Sequence, residues 1–144
     1  MAWAYALTFI TMAKSEVKTT KEQLKLEYPI KASPKIIYPM LVTPSGLSEW
    51  FCDDVNIRNA EYTFQWDGSR EKANLLTSKE NSMVRFHWLD DGDEPVFFEF
   101  NIEVDELTND VALVITDFVD KSEKDSRILY WSNQINKLRH VLGS

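Results

Sequence analysis

Two histidines, one cysteine and a few clustered carboxylates are the groups in this sequence with the chemistry of catalysis or metal binding. His87 alternates with Phe86 and Trp88, so on a strand it points away from them. Placed opposite Glu99, it reads as a solvated cross-strand pair rather than a general base. His140 follows Lys137 and Arg139, and reads as a partner for the negative end of a helix dipole. Cys52 precedes Asp53 and Asp54, whose charge raises a thiol's pKa and makes it a poor nucleophile. The runs Asp53-Asp54 and Asp90-Asp91-Gly92-Asp93-Glu94 suggest calcium by composition. The longer run lacks the spacing and terminal bidentate glutamate of a calcium loop, so it reads as a solvated turn. Two histidines and one cysteine are also too few for an ordinary zinc site. The reading is therefore no metal, no cofactor and no catalytic residue, because no nucleophile pairs with a base and no phosphate loop is present.

What remains is ring chemistry. Phe64, Trp66, Phe86, Trp88, Phe98 and Phe100 fall at alternate positions of strand-like runs, and Trp131, Ile135 and Leu138 at helical spacing. A face of this kind either lines a ligand pocket or fills an ordinary core. Small residues set against rings, Ser69 and Ala73, lean toward a void. Glu71 is the one acidic group expected on that inward face. At a rim it is simply solvated; buried, its pKa would rise and it would act as a polar anchor or an acid.

The element that must hold these residues together is the last one, Ser122 to Gly143. Ser122 is the expected N-cap, and Asp125 lies at the positive end of the dipole. Ile128, Trp131, Ile135, Leu138 and Leu142 recur at steps of three and four, and Gly143 ends a helix roughly 30 Å long. Upstream, Leu24, Leu26, Tyr28 and Ile30 alternate as a half-buried strand. Ala32-Ser33-Pro34 opens a helix with Ser33 as N-cap, which Pro39 keeps short or bent. Thr43-Pro44 opens a second short helix ending near Trp50-Phe51. From Val55 onward the pattern is β. Asp67-Gly68 marks a two-residue hairpin turn that sets Trp66 opposite Ser69, Phe64 opposite Glu71 and Tyr62 opposite Ala73. A five-residue turn, Asp91 to Pro95, would set Phe86 opposite Phe100, Trp88 opposite Phe98, His87 opposite Glu99 and Arg85 opposite Asn101. The last strand, Val111 to Val119, is apolar on both faces, which leaves its inward set open and hints at a partner surface.

Composition narrows the function classes. The 144 residues suit one domain with a real core. A net charge of −7 argues against nucleic acid and against docking to an anionic membrane. A single cysteine excludes an internal disulfide and points to a cytoplasmic location. Met1 to Ala13 is apolar, too short to span a bilayer, and lacks the basic start of a secretory signal. With the polar residues to position 22 it reads as an N-terminal extension ahead of a domain over 23–144. It is either an upstream start, with Met12 functional, an expression-derived extension, or a segment that docks onto apolar surface.

Three local patterns resemble a known family. They are Ala32-Ser33-Pro34 at a helix entry, Thr43-Pro44 leading to Trp50-Phe51, and Met83-Val84-Arg85-Phe86-His87-Trp88 as a hydrophobic-x-F-x-W strand. In order and spacing they resemble the START-like (SRPBCC, Bet v 1-like) superfamily, in the branch related to the activator of Hsp90 ATPase. The extension and Pro39 depart from it. The resemblance implies an α+β helix-grip fold: a seven-stranded antiparallel curved sheet wrapped around a long C-terminal helix, with two short helices after the first strand. It also implies a cavity between sheet and helix for a hydrophobic or aromatic small molecule, walled by the nine residues of the ring face. The alternatives are a protein-interaction domain, self-associating as a homodimer or serving a chaperone, and a cyclase- or hydrolase-like enzyme using Glu71.

Overall fold

The computed structural model describes residues 19–143. The apolar stretch Met1–Ala13 lies outside them. The chain runs β1 (Glu22–Pro29), α1 (Pro34–Val42), α2 (Pro44–Trp50), six strands β2 to β7, then α3 (Lys124–Leu142). The strands are β2 (Asp54–Arg58), β3 (Glu61–Trp66), β4 (Ser69–Lys79), β5 (Met83–Trp88), β6 (Phe98–Val104) and β7 (Val111–Val119). They form one antiparallel sheet in the order β1-β7-β6-β5-β4-β3-β2. The sheet is curved and unclosed, the helix-grip arrangement that the sequence implies.

The two short helices start as their prolines dictate. Pro34 and Pro44 each occupy the first turn, where a missing N–H costs nothing. Thr43 serves both helices: its hydroxyl donates to the Pro39 carbonyl at 2.7 Å, and its oxygen accepts from the Gly46 N–H at 3.0 Å. Pro39 lies inside α1, a helix of only nine residues. Gly46 is required by close approach. A Cβ there would lie 2.2 Å from the Pro39 carbonyl oxygen and 2.7 Å from the Met40 Cα.

Register follows the sequence on one hairpin and departs from it on the next. Across β3–β4, Trp66 pairs with Ser69, Phe64 with Glu71 and Tyr62 with Ala73, as the Asp67-Gly68 turn requires. Gly68 takes the positive φ of that turn, 82°. Across β5–β6 the expected pairs are displaced by two residues. Phe86 faces Phe98, Val84 faces Phe100, Arg85 faces Glu99 and Met83 faces Asn101. The connection is longer than the five-residue turn: Leu89–Asp91 coil into a single 3₁₀ turn, and β6 begins only at Phe98. His87 holds this longer loop. Its ring nitrogens lie 2.7 Å from the carbonyl oxygens of Val96 and Gly92; a neutral ring donates to one of them, an imidazolium to both. The vacated place opposite Glu99 goes to Arg85, whose guanidinium donates to that carboxylate at 2.7 and 2.8 Å. Because the slip is an even number of residues, each ring stays on its expected face.

The inward set of β7 is Leu113, Ile115 and Asp117. The first two join the core, and the third meets α3. On its other face Val114 and Thr116 are buried as well, and Phe118 meets Phe97 edge-on at 5.1 Å. The last helix begins at Lys124, with its cap one residue later than the expected Ser122. Lys121–Glu123 form a 3₁₀ turn, and Glu123 occupies the cap position. Its end is as expected, with Gly143 left-handed at φ 74°.

Candidate functional site

The two halves of α3 meet the sheet differently. In the C-terminal half Ile135 and Leu138 have no exposed surface, and they pack with Phe64, Phe86 and Phe100, equally buried, into a solid core. In the N-terminal half the helix and the sheet part. A cavity of about 310 Å³ opens there, lined by Phe51, Trp66, Ser69, Glu71, Trp88, Phe98, Asp117, Arg127, Tyr130 and Trp131. A larger depression of about 700 Å³ lies at the other end of β7, beside Val111 and Pro29–Pro34. It presents no aromatic ring and none of the expected site residues.

The nine expected wall residues therefore divide. Trp66, Trp88, Phe98 and Trp131 line the cavity, and Glu71 stands at its exposed edge. Phe64, Phe86, Phe100, Ile135 and Leu138 lie behind them as core. The walls are braced ring against ring. Trp88 stacks on Phe98 with centroids 4.7 Å apart, and Phe98 in turn on Phe86 at 5.0 Å. Phe51, carried by the residue after α2, is the hub: it stacks on Trp131 at 6.0 Å and meets Phe64 edge-on at 5.1 Å and Trp66 at 5.6 Å.

The polar fittings fix where those rings stand. Trp66 Nε1 donates to the Phe51 carbonyl at 2.8 Å. Gln134, buried in α3, reaches the carbonyls of Trp50 and Phe51 at 3.2 Å and ties the helix to the end of α2. Asp117 is only 5 % exposed. One of its oxygens accepts from Trp131 Nε1 at 2.9 Å and Arg127 Nη1 at 2.8 Å, the other from its neighbour's N–H, Phe118, at 2.8 Å. A buried carboxylate is tolerable only with partners of this kind. Burial pushes the Tyr130 phenol up to about 12; Arg127 opposes that shift, while Asp117 and Glu71 add to it. Cys52 is likewise pushed up to about 12, by burial first and then by Asp54 and Asp53. Its thiol donates to the Leu47 carbonyl at 3.6 Å.

Sequence reasoning missed Phe51, Asp117, Arg127 and Tyr130. Asp117 carried a usable signal, as the single charged residue in the apolar run Val111–Val119. Arg127 and Tyr130 carried none. They sit beside, not on, the apolar stripe of α3, and line the cavity only because the helix lifts from the sheet at that end. The cavity lining offers aromatic rings together with carboxylate, guanidinium, phenol and hydroxyl groups. Cys52, His87 and His140 are not part of that lining.

Comparison with known proteins agrees with this architecture. A protein of Bacteroides fragilis solved by NMR is 35 % identical, with a TM-score of 0.62 over 86 % of this chain and 93 % of that one. The Aha1 dimer of Colwellia psychrerythraea is 20 % identical, with a TM-score of 0.68 over 82 % and 93 % of the two chains. A Mesorhizobium loti protein reaches a TM-score of 0.71 at 15 % identity, over 85 % and 97 %. These last two show the likeness of fold alone. Among curated proteins, none matches the chain. A family model described as the START-like superfamily domain matches residues 18–144, and with the seven-stranded sheet gripping its C-terminal helix, the chain belongs to the START-like superfamily.

Proposed function

We propose that this protein is a binding module for an aromatic or otherwise apolar small molecule, held between the sheet and the N-terminal half of α3. The observation that carries the reading is the cavity of about 310 Å³, lined by six ring-bearing residues from five parts of the chain and by a few polar groups among them. That volume is at the small end of ligand pockets. It suits a body of one to three rings better than a long acyl chain. Binding is driven by burial of the ligand's apolar surface, at roughly 25 cal/mol per Å². Native mass spectrometry of protein purified from its own host, with tryptophan fluorescence during titration of flavonoids and fatty acids, tests the reading. Co-purified or saturable ring-bearing ligands support it; no ligand by either method removes it.

Self-association is the second reading, within the branch related to the activator of Hsp90 ATPase. It is favoured by the dimer described for the Colwellia neighbour. Sedimentation at micromolar concentration, with and without residues 1–13, decides it. A homodimer supports the reading, and a monomer in both forms counts against it.

A further inference from the structure

We infer that the molecule taken by this cavity carries a cationic head, a primary amine or alkylammonium, on its aromatic body. The inference rests on the ligand-binding reading above and adds the sign of the ligand's charge.

The first argument is what the walls have left to offer. The indole N–H groups of Trp66 and Trp131 are already spent on the Phe51 carbonyl and on Asp117. Those two indoles have no donor left for a ligand, and the face of an aromatic ring carries the negative lobe of its quadrupole. Such faces attract a cation and repel an anion.

The second is the balance of charge at the edge. The cavity shares Glu71, Trp88, Asp117 and Arg127 with an adjoining cleft that also holds Lys21, Asp90 and Asp91. Arg127 is paired with Asp117 at 2.8 Å, and Lys21 with Asp91 at 2.9 Å. Among the described residues neither Glu71 nor Asp90 has an ion-pair partner, so the uncompensated charge at the mouth is negative.

The third is the consequence of the opposite choice. Arg127 is already paired with Asp117, a carboxylate only 5 % exposed, so an anionic head would have to share that guanidinium and would meet the unpaired Glu71 at the same mouth. A neutral head would leave Glu71 without a role. A cation is the head that satisfies Glu71 and leaves the Asp117–Arg127 pair intact.

The experiment uses matched probes: 2-phenylethylamine, 2-phenylethanol and phenylacetate, and the same three heads on a naphthyl body. Each is titrated by tryptophan fluorescence at pH 7 and low ionic strength into the full chain and into Glu71→Gln. The amine is expected to bind about tenfold tighter than the alcohol and to weaken with added salt. Glu71→Gln is expected to abolish the amine's advantage over the alcohol. An alcohol that binds as well as the amine, a tightest-binding carboxylate, or an amine indifferent to Glu71→Gln overturns the cationic head, while the cavity keeps its role as a binding site. Failure of all six probes overturns both.

Discussion

Asp117 is the residue on which the open end of the molecule depends. It is the meeting point of Arg127, Trp131 and the β7 backbone, and its charge is tolerated only because all three donate to it. Asp117→Ala strands the indole N–H and the guanidinium at once. Urea denaturation should register a loss of about 3 kcal/mol. Adding Arg127→Ala to that variant should cost less than Arg127→Ala costs alone, because the pair is already broken. Full additivity would contradict the arrangement. Cys52 makes a different prediction, about protons. Its folded pKa is raised from 9.0 to about 12, so below pH 9 folded and unfolded chains both keep the proton. Between 9 and about 12 only the unfolded chain releases it. Stability should therefore fall through that window, by up to about 1.4 kcal/mol per pH unit from this group. Denaturation at pH 8 and pH 10.5 checks it: Cys52→Ala should lose less than the wild type between the two. The thiol should also resist a disulfide reagent at pH 8 until the chain is unfolded.

Elements were readable where local chemistry decides them and misread where a distant contact does. The Pro34 and Pro44 helix starts, the Asp67-Gly68 turn and the Gly143 stop each rest on one residue's backbone preference. Each stands where the sequence puts it. The β5–β6 register does not, because two turns of different length keep the same rings facing inward. What separates them is His87 reaching forward to Gly92 and Val96, and that contact has no signature in spacing. The helix cap was missed by one residue for a related reason: Ser122 is a good cap by type, but it lies within a 3₁₀ turn. The contact between α1 and α2 supplies the sharpest test at this level. Gly46→Ala places a methyl group against backbone atoms of Pro39 and Met40, which cannot turn aside as a side chain can. It should cost about 2–3 kcal/mol. Gly68→Ala, in an open turn at φ 82°, should cost only about 1 kcal/mol. Equal losses by thermal or urea denaturation would deny the close crossing.

For the molecule as a whole, a curved sheet cannot follow a straight helix along its full length. Here the helix spans about 28 Å at 1.5 Å per residue over 19 residues. One half of it packs down on Phe64, Phe86 and Phe100; the other half stands off, and the cavity is what remains. Sequence patterning named the ring face correctly, since alternation reports which way a side chain points. It could not divide that face into core and cavity wall, because both halves carry the same residue types. Nor could it foresee the edge formed by Arg127 and Tyr130, which depends on where the helix lifts. Filling the space should stabilise the fold at the expense of binding. Ser69→Leu, pointing a larger side chain into the cavity, should leave the melting temperature equal or higher and abolish any ligand-dependent rise in it.

The most direct measurement is a ¹H–¹⁵N spectrum recorded while a ring-bearing ligand is added. Ligand in the cavity should shift the indole signals of Trp66, Trp88 and Trp131 together and saturably, and leave that of Trp50, buried on the Met40 carbonyl, almost unmoved. Indole signals that stay fixed while the outer face of the sheet or the exposed side of α3 responds would contradict the account.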